Sequence, residues 1–456
     1  MSSNLKFTRR SFLSGAATIG ISSALGPGML LSACTGKEKQ TALYPANELY
    51  IPELPDKAID GKPIKAALVG CGGRGLGAAF NFLEAGDGLS IVALADLFPD
   101  KLQAGRQRLQ QEKNVTIPDE MCFTGFDAYK KVCELAIDLV LIASPNCFHA
   151  EQMKYAVEKK KHVFVEKPAA IDPVGYRTFL AAAKQAANTG INIMPGTQYH
   201  FDRRFVASYQ KVQEGLIGQI ISGYVYYHTG RDQYIIRRPE WTDMEYMIRG
   251  HYNWSWVNGD QISNMLIHWI DVFNWFSHLK PLSVIAYGSR IRKNIGNVYD
   301  NFSMHFEYEN GVTVGGMVRR IDGCDNGAGA IIHGEKGIWD SSDFSIRNRN
   351  GEMIWQYNEE EEKKKFQLHD MYTLEHIALV NHIRKGEVLH IAESTAMSAL
   401  TAIMARESAY TGKKQTWEQM LTSELAMEPK EMALVNVDLK QFEVPLAGVP
   451  SSNVPL

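Results

Sequence analysis

The sequence predicts a doubly wound α/β domain with a parallel sheet, followed by an α+β domain carrying a mostly antiparallel open sheet. Three observations predict it. From Pro63 onward, short apolar runs alternate with segments of helical spacing, the pattern of successive β–α–β units. Gly70-Cys71-Gly72-Gly73-Arg74-Gly75 sits at the first strand-to-helix junction. After about residue 190 the apolar runs take hairpin-like separations, with Glu309-Asn310-Gly311 as a turn signal between two of them.

The elements follow in order. Ile64–Val69 is a strand ending at Gly70, and Gly77–Glu84 has helical spacing. A second strand over Leu89–Ala95 leads to an amphipathic segment, Pro99–Gln111. A helix over Asp127–Leu135 precedes a buried strand at Ile137–Ala143, then a helix at His149–Lys159 and a closing strand at His162–Val165. In the second half, Ile220–His228, Ser283–Ser289, Asn301–Tyr308, Val312–Val318 and Ala330–His333 read as strands. Glu393–Tyr410 is a late helix stopped near Gly412.

The N-terminus differs in kind. Lys6, Arg9 and Arg10 precede an apolar run from Phe12 to Leu31, and no acid occurs before Glu38. That is the basic region and apolar region of a secretory signal. A membrane helix needs roughly 20 strongly apolar residues, and Gly15, Gly20, Gly26, Pro27 and Gly28 interrupt this one. Thr8-Arg9-Arg10-Ser11-Phe12-Leu13 resembles a twin-arginine export signal, and Leu31-Ser32-Ala33-Cys34 resembles a lipoprotein box whose Cys34 is lipidated. The expectation is a signal peptide over 1–33, a lipid-anchored tether over 34–62, and an exported protein, periplasmic or membrane-anchored through Cys34.

A chain of 456 residues calls for more than one core. The parallel domain is placed at 63–188 and the substrate and oligomerisation domain at 189–456. A formal charge of −3 argues against nucleic acid as partner. The six cysteines form no C-x-x-C pair and no zinc spacing, so no metal is expected.

The glycine pattern gains meaning from its place between strand and helix. The first glycine makes a tight turn, the second admits a pyrophosphate to the backbone, and the third permits close helix–strand packing. The helix N-terminus then holds the phosphates. Gly70, Gly72, Gly73, Arg74 and Gly75 are therefore candidate cofactor residues of a Rossmann domain. Asp96 ends the second strand, 26 residues beyond Gly70; it suits ribose hydroxyls and repels a 2′-phosphate, which favours NAD over NADP. A helix cap is the competing reading of Asp96.

Ser144-Pro145-Asn146 with His149 ends one strand, and Val165-Glu166-Lys167-Pro168 ends the next. With the glycine loop, Gly196-Thr197-Gln198 and the Gly259–Trp275 segment, these resemble the Gfo/Idh/MocA oxidoreductase family, in a signal-bearing bacterial branch, over about residues 63–415. The resemblance implies an N-terminal dinucleotide domain and a C-terminal open sheet that often builds homo-oligomers. It assigns Ser144, Asn146, His149, Glu166, Lys167 and Gln198 to the cofactor side. Lys167 is the residue at the reacting hydroxyl, its pKa lowered beside cationic nicotinamide. His268 becomes its acid/base partner or a substrate ligand, the alternative being a core histidine. Asn264, His268 and Asp271, in a helical segment, share one face at i, i+4, i+7 spacing. Many relatives carry an acid where this chain has Asn264, which orients a hydroxyl but transfers no proton.

Tyr199, Trp254 and the aromatic-rich stretch from Tyr224 to Trp256 favour a sugar, glycoside or cyclitol as the small-molecule substrate, with sheet packing as the competing reading. The expected activity is NAD(P)-dependent oxidation or reduction of such a hydroxyl, glycoside C3 oxidation being one version, with a tightly held cofactor. The alternative is an NAD-dependent glycoside hydrolase using transient C3 oxidation.

Overall fold

A computed structural model describes residues 50–230, 234–292, 295–429 and 432–448. The expectations for the signal segment, the twin arginines and Cys34 lie outside the described residues. No helix among the described residues is long and apolar enough to cross a membrane.

The strand–helix alternation builds a six-stranded parallel sheet. In chain order it comprises β1 (Ile64–Val69), α1 (Gly73–Glu84), β2 (Leu89–Asp96), α2 (Pro99–Lys113), β3 (Cys122–Thr124), α3 (Ala128–Cys133), β4 (Leu139–Ile142), α4 (His149–Glu158), β5 (His162–Glu166), α5 (Pro173–Asn188) and β6 (Ile193–Gly196). The strand order is β3-β2-β1-β4-β5-β6, with the order reversing between β1 and β4. Such a reversal opens a crevice at the carboxyl ends of the strands. β4, and β1 apart from the exposed Lys65 near its start, are apolar throughout because both sheet faces are covered. The sheet runs past residue 188 to Gly196, two of its strands being too short for a periodic signal.

The second half begins with α6 (Arg203–Gln213) and β7 (Ile220–Thr229), and continues through α7 (Asp243–Arg249), α8 (Ser255–Asn258) and α9 (Ile267–Ser277). Then come β8 (Pro281–Ser289), β9 (Asn301–Tyr308), β10 (Thr313–Arg320), β11 (Gly327–Gly334), β12 (Gly337–Asp340), β13 (Ser345–Asn348) and β14 (Met353–Gln356). The chain ends with α10 (Glu359–Lys365), α11 (Met371–Lys385), α12 (Ala392–Thr411), β15 (Gln415–Thr416) and α13 (Trp417–Thr422). The nine-stranded sheet has the order β14-β13-β12-β11-β7-β10-β9-β8-β15. Its central pair, β7 and β10, is parallel and every other pairing antiparallel. The expected turn joins β9 to β10, with Asn310 and Gly311 both at positive φ (60° and 73°), the backbone an Asn-Gly hairpin favours.

One face of this sheet packs on α9 and α12, with Phe273, Phe276, Phe306 and Trp339 in the shared core. On the other, Tyr224 and Tyr226 stack at 5.7 Å, and Tyr287 and Met317 stand exposed. The aromatic-rich stretch therefore divides. Tyr224 and Tyr226 face outward and Trp254 and Trp256 are buried, so packing accounts for most of it.

Residues 50–62, expected as a tether, lie along the body. Tyr50, Leu54 and Ala58 join the apolar cluster under α1 and α11. The Asp56 carboxylate accepts the N–H groups of Gln367 and Leu368 at 2.9 and 3.0 Å. These are long-range contacts, which the absence of local periodicity could not reveal.

Candidate active site

The site is built first by the glycine loop. Gly70 has φ of +93°, and a Cβ there would strike the Ala143 carbonyl at 2.6 Å. At Gly75 a Cβ would lie 1.9 Å from the Gly70 carbonyl oxygen, so α1 approaches β1 as closely as backbone allows. Around Gly72 and Gly73 the opposite holds: a Cβ would meet nothing within 4 Å. Gly72 caps α1 without a side-chain hydrogen bond, leaving first-turn N–H groups toward that open space. A dinucleotide pyrophosphate fits such a cradle. At its edge Asp96 accepts from the Cys71 N–H at 2.7 Å and the Phe98 N–H at 2.9 Å; burial raises its pKa and these two donors oppose that. Each of its carboxylate oxygens thus accepts a backbone N–H at the end of β2, one of them from the glycine loop itself.

Several expected cofactor residues turn elsewhere. Arg74 points its guanidinium away from the phosphate space: Nε lies 2.8 Å from Glu166, and the group sits 4.6 Å over the Tyr372 ring. Glu166 is buried against that arginine, its pKa raised by burial and opposed first by Arg74. His149 is fully buried, with Nδ1 2.9 Å from the Pro168 carbonyl and Nε2 2.8 Å from the Ser144 carbonyl. It staples the turn after β4 to the turn after β5 and offers nothing to a ligand. Ser144 Oγ donates to Gln152 at 2.6 Å. The Asn146 amide donates to the Asn258 carbonyl at 2.8 Å, tying the two halves together. Gln198 is buried in the turn after β6. These residues shape the sheet edge; of the expected set, the glycines and Asp96 form the cradle itself.

Lys167 follows β5 directly, so its side chain emerges at the carboxyl edge of the sheet. Nζ donates to the Asn264 carbonyl at 2.6 Å. Burial depresses its pKa to about 8, with Arg320 and Arg74 adding to the depression and Glu166 opposing it. The Asn264 carbonyl is available because residues Ile262–Leu266 form a π-turn ahead of α9, with the Ile267 N–H bonded back to Ile262. Such widened turns recur at functional sites. His268 stands one turn further on, its imidazole kept neutral by burial and then by the Lys167 charge. It makes no hydrogen bond among the described residues, and its ring lies 5.5 Å from that of Tyr199. Tyr199 is itself stacked on Phe205 at 4.4 Å. Lys167, Asn264, His268 and Tyr199 are thus brought together from both halves.

Asp271 and Trp254 are not. The π-turn breaks the regular spacing between 264 and 268, while 268 and 271 keep theirs within α9. Asp271 is buried with its carboxylate already partnered, accepting from Ser398 Oγ at 2.7 Å and paired with His200 Nε2 at 2.7 Å. Trp254 packs with Tyr246 and Phe442 in a third apolar cluster.

Sequence reasoning missed Arg320 and Tyr372, and held Tyr252 only as one member of the aromatic-rich stretch. Arg320, at the end of β10, has its pKa lowered to about 10 by burial. Its Nη1 donates to Gln261 at 2.9 Å, and its guanidinium lies 5.8 Å from the Tyr252 ring centroid. Only the parallel crossover of β7 and β10 delivers it, and no local signal marks it.

A glycine cradle with an acid at the end of β2, facing an amine poised near neutrality and a neutral imidazole, defines a dinucleotide-dependent redox enzyme. Residues 64–192 match the model described as an oxidoreductase family with an NAD-binding Rossmann fold, and residues 205–340 match the GFO/IDH/MocA C-terminal domain. The chain belongs to the GFO/IDH/MocA oxidoreductase family. Over 159 residues it is 36% identical to glycosyl hydrolase family 109 protein 1 of Bacteroides fragilis, covering 32% of this chain and 33% of that relative. Over 183 residues it is 28% identical to 2,7-anhydro-N-acetylneuraminate hydratase of Escherichia coli, covering 38% and 44%. The match thus spans less than half of these relatives' lengths. The structure of scyllo-inositol dehydrogenase from Lactobacillus casei with bound NAD(H) and scyllo-inositol shares the fold, with a TM-score of 0.59 at 21% identity, covering 78% of this chain and 99% of that one.

Proposed function

We propose that this protein oxidises or reduces a secondary hydroxyl of a sugar, glycoside or cyclitol, with NAD tightly held in the glycine cradle. The observation that carries the reading is the convergence of Lys167 and His268 at the carboxyl edge of the parallel sheet. NAD, when bound, supplies the hydride acceptor. The chain's own residues handle the proton. The Asn264 carbonyl engages one Nζ–H of Lys167, which orients the neutral amine's lone pair away from the π-turn. That lone pair takes the hydroxyl proton of the substrate, and the positive charge formed on Nζ then stabilises the carbonyl oxygen. His268, neutral and with no hydrogen bond among the described residues, accepts from or donates to a neighbouring hydroxyl and fixes the ring. Tyr199 offers an aromatic face beside it.

The test is a screen of free sugars, glycosides and cyclitols against nucleotide-loaded protein, following reduced-nicotinamide absorbance. Turnover that Lys167→Ala lowers by about 10²–10⁴-fold is expected; no absorbance change with any of them would overturn the reading. The likeness to a family 109 glycosyl hydrolase supports a second reading, hydrolysis through transient C3 oxidation. Release of phenol from an aryl glycoside without net absorbance change would establish it instead.

We further propose export by the twin-arginine route with lipid attachment at Cys34, which would carry the folded protein across with its nucleotide. Labelled palmitate should enter the wild-type protein and not Cys34→Ala. The exposed face of the nine-stranded sheet is proposed to pair with another copy of the chain.

A further inference from the structure

The segment between β7 and α9 leaves the second domain and crosses to the first. Its landing point is the end of β2, where Asp96 marks the adenosine side of the cofactor cleft. Arg249, at the end of α7, makes two hydrogen bonds to Asp100 in the first turn of α2, Nη1 to Oδ2 at 3.0 Å and Nη2 to Oδ1 at 2.8 Å. Its Nε donates to Glu245 at 2.8 Å. The guanidinium lies 3.8 Å from the Phe98 ring centroid and 4.9 Å from that of Trp241. The arginine side chain is only 8% exposed although Asp100 is 62% exposed, so it is the buried member of the pair.

The next residues run along the cleft. The His251 imidazole is shifted down to about 4 by burial, with Lys101 of α2 adding to the shift. One residue on, Tyr252 feels the Glu166 carboxylate and lies beneath Arg320 at the nicotinamide end. The side chains of Arg249, His251 and Tyr252 thus face Asp100 and Lys101 of α2 on one side and Glu166 and Arg320 on the other. Behind it, the arm is fixed to the chain's last described segment: Met244 N–H donates to Val435, Asp243 N–H to Asn436, and Val437 N–H to Asp243. The apolar cluster of Phe98, Cys147, Met247, Trp254 and Phe442 seals that side.

We propose that residues 249–252 roof the dinucleotide cleft and that the Arg249–Asp100 pair is the latch that slows nucleotide release. The inference rests on the cofactor cleft assigned above. It makes Arg249 a positioning residue: it touches no reacting atom and acts through the arm. A bidentate pair half-shielded from water, with its cation stacked on an aromatic ring, is the kind of ion pair that holds a geometry.

Dissociation of NADH from the full chain, followed by nicotinamide fluorescence during displacement with excess NAD, tests it. Arg249→Ala and Asp100→Asn should each speed release about tenfold, Arg249→Lys less, and the double variant no more than either single one. Raising salt should speed release from the wild type and leave Asp100→Asn unaffected. Asp100 is largely exposed, so its variant remains informative if Arg249→Ala fails to fold. Equal release rates in wild type and Asp100→Asn would overturn the latch while leaving the cofactor assignment intact. Wild-type protein that binds no NADH would overturn both.

Discussion

At Lys167 three charges and one burial decide the chemistry. Burial and the cations Arg320 and Arg74 push the amine toward neutrality, while Glu166 pulls it back, leaving it near pH 8. The working form is the unprotonated amine, so oxidation should rise about tenfold per pH unit below that value and level off above it. Because Glu166 favours the ammonium, Glu166→Gln should move the midpoint to lower pH. A midpoint that stays in place in the variant would mean that another group titrates in the profile. The Glu-Lys pair was legible in the sequence as a motif; its electrostatic setting was not, since Arg74 and Arg320 come from remote positions.

The π-turn before α9 shows how an element can override spacing. A regular helix would have put Asn264, His268 and Asp271 on one face. The extra residue in the turn offsets Asn264 from the face of α9 and leaves its carbonyl to Lys167, while Asp271, within the regular part of α9, is taken up by His200 and Ser398. Asp271→Ala should therefore lower the stability of the folded protein by about 1–3 kcal/mol, because it strips partners from buried polar groups. It should leave the substrate KM of the folded fraction unchanged. A raised KM without loss of stability in urea unfolding would return Asp271 to the substrate site.

For the molecule as a whole, the nine-stranded sheet is covered on one face by α9 and α12 and, among the described residues, carries exposed apolar side chains on the other. Tyr287 is 65% exposed and Met317 41%, beside the Tyr224–Tyr226 stack. A face with this much exposed apolar surface is costly in water, and a second copy would bury it. Light scattering should give a multiple of the chain mass, and Tyr287→Lys with Met317→Lys should give the single-chain mass with the Rossmann domain still able to bind NADH. A single-chain mass for the wild type would remove the pairing.

Patterns that repeat within a few residues were decided by the sequence itself: the parallel alternation, the glycine loop with Asp96 at the end of the next strand, and the β9–β10 turn. Their physics is local, set by backbone freedom and the period of apolar residues. Only tertiary structure decided that Arg74, His149 and Asp271 serve packing and ion pairs, that Trp254 is core, and that residues 50–62 belong to the body. It alone brought Arg320 and Tyr252 to the cleft and Arg249 to Asp100. Those roles depend on contacts between residues tens to hundreds of positions apart, and burial and charge at such distances leave no periodic trace along the chain.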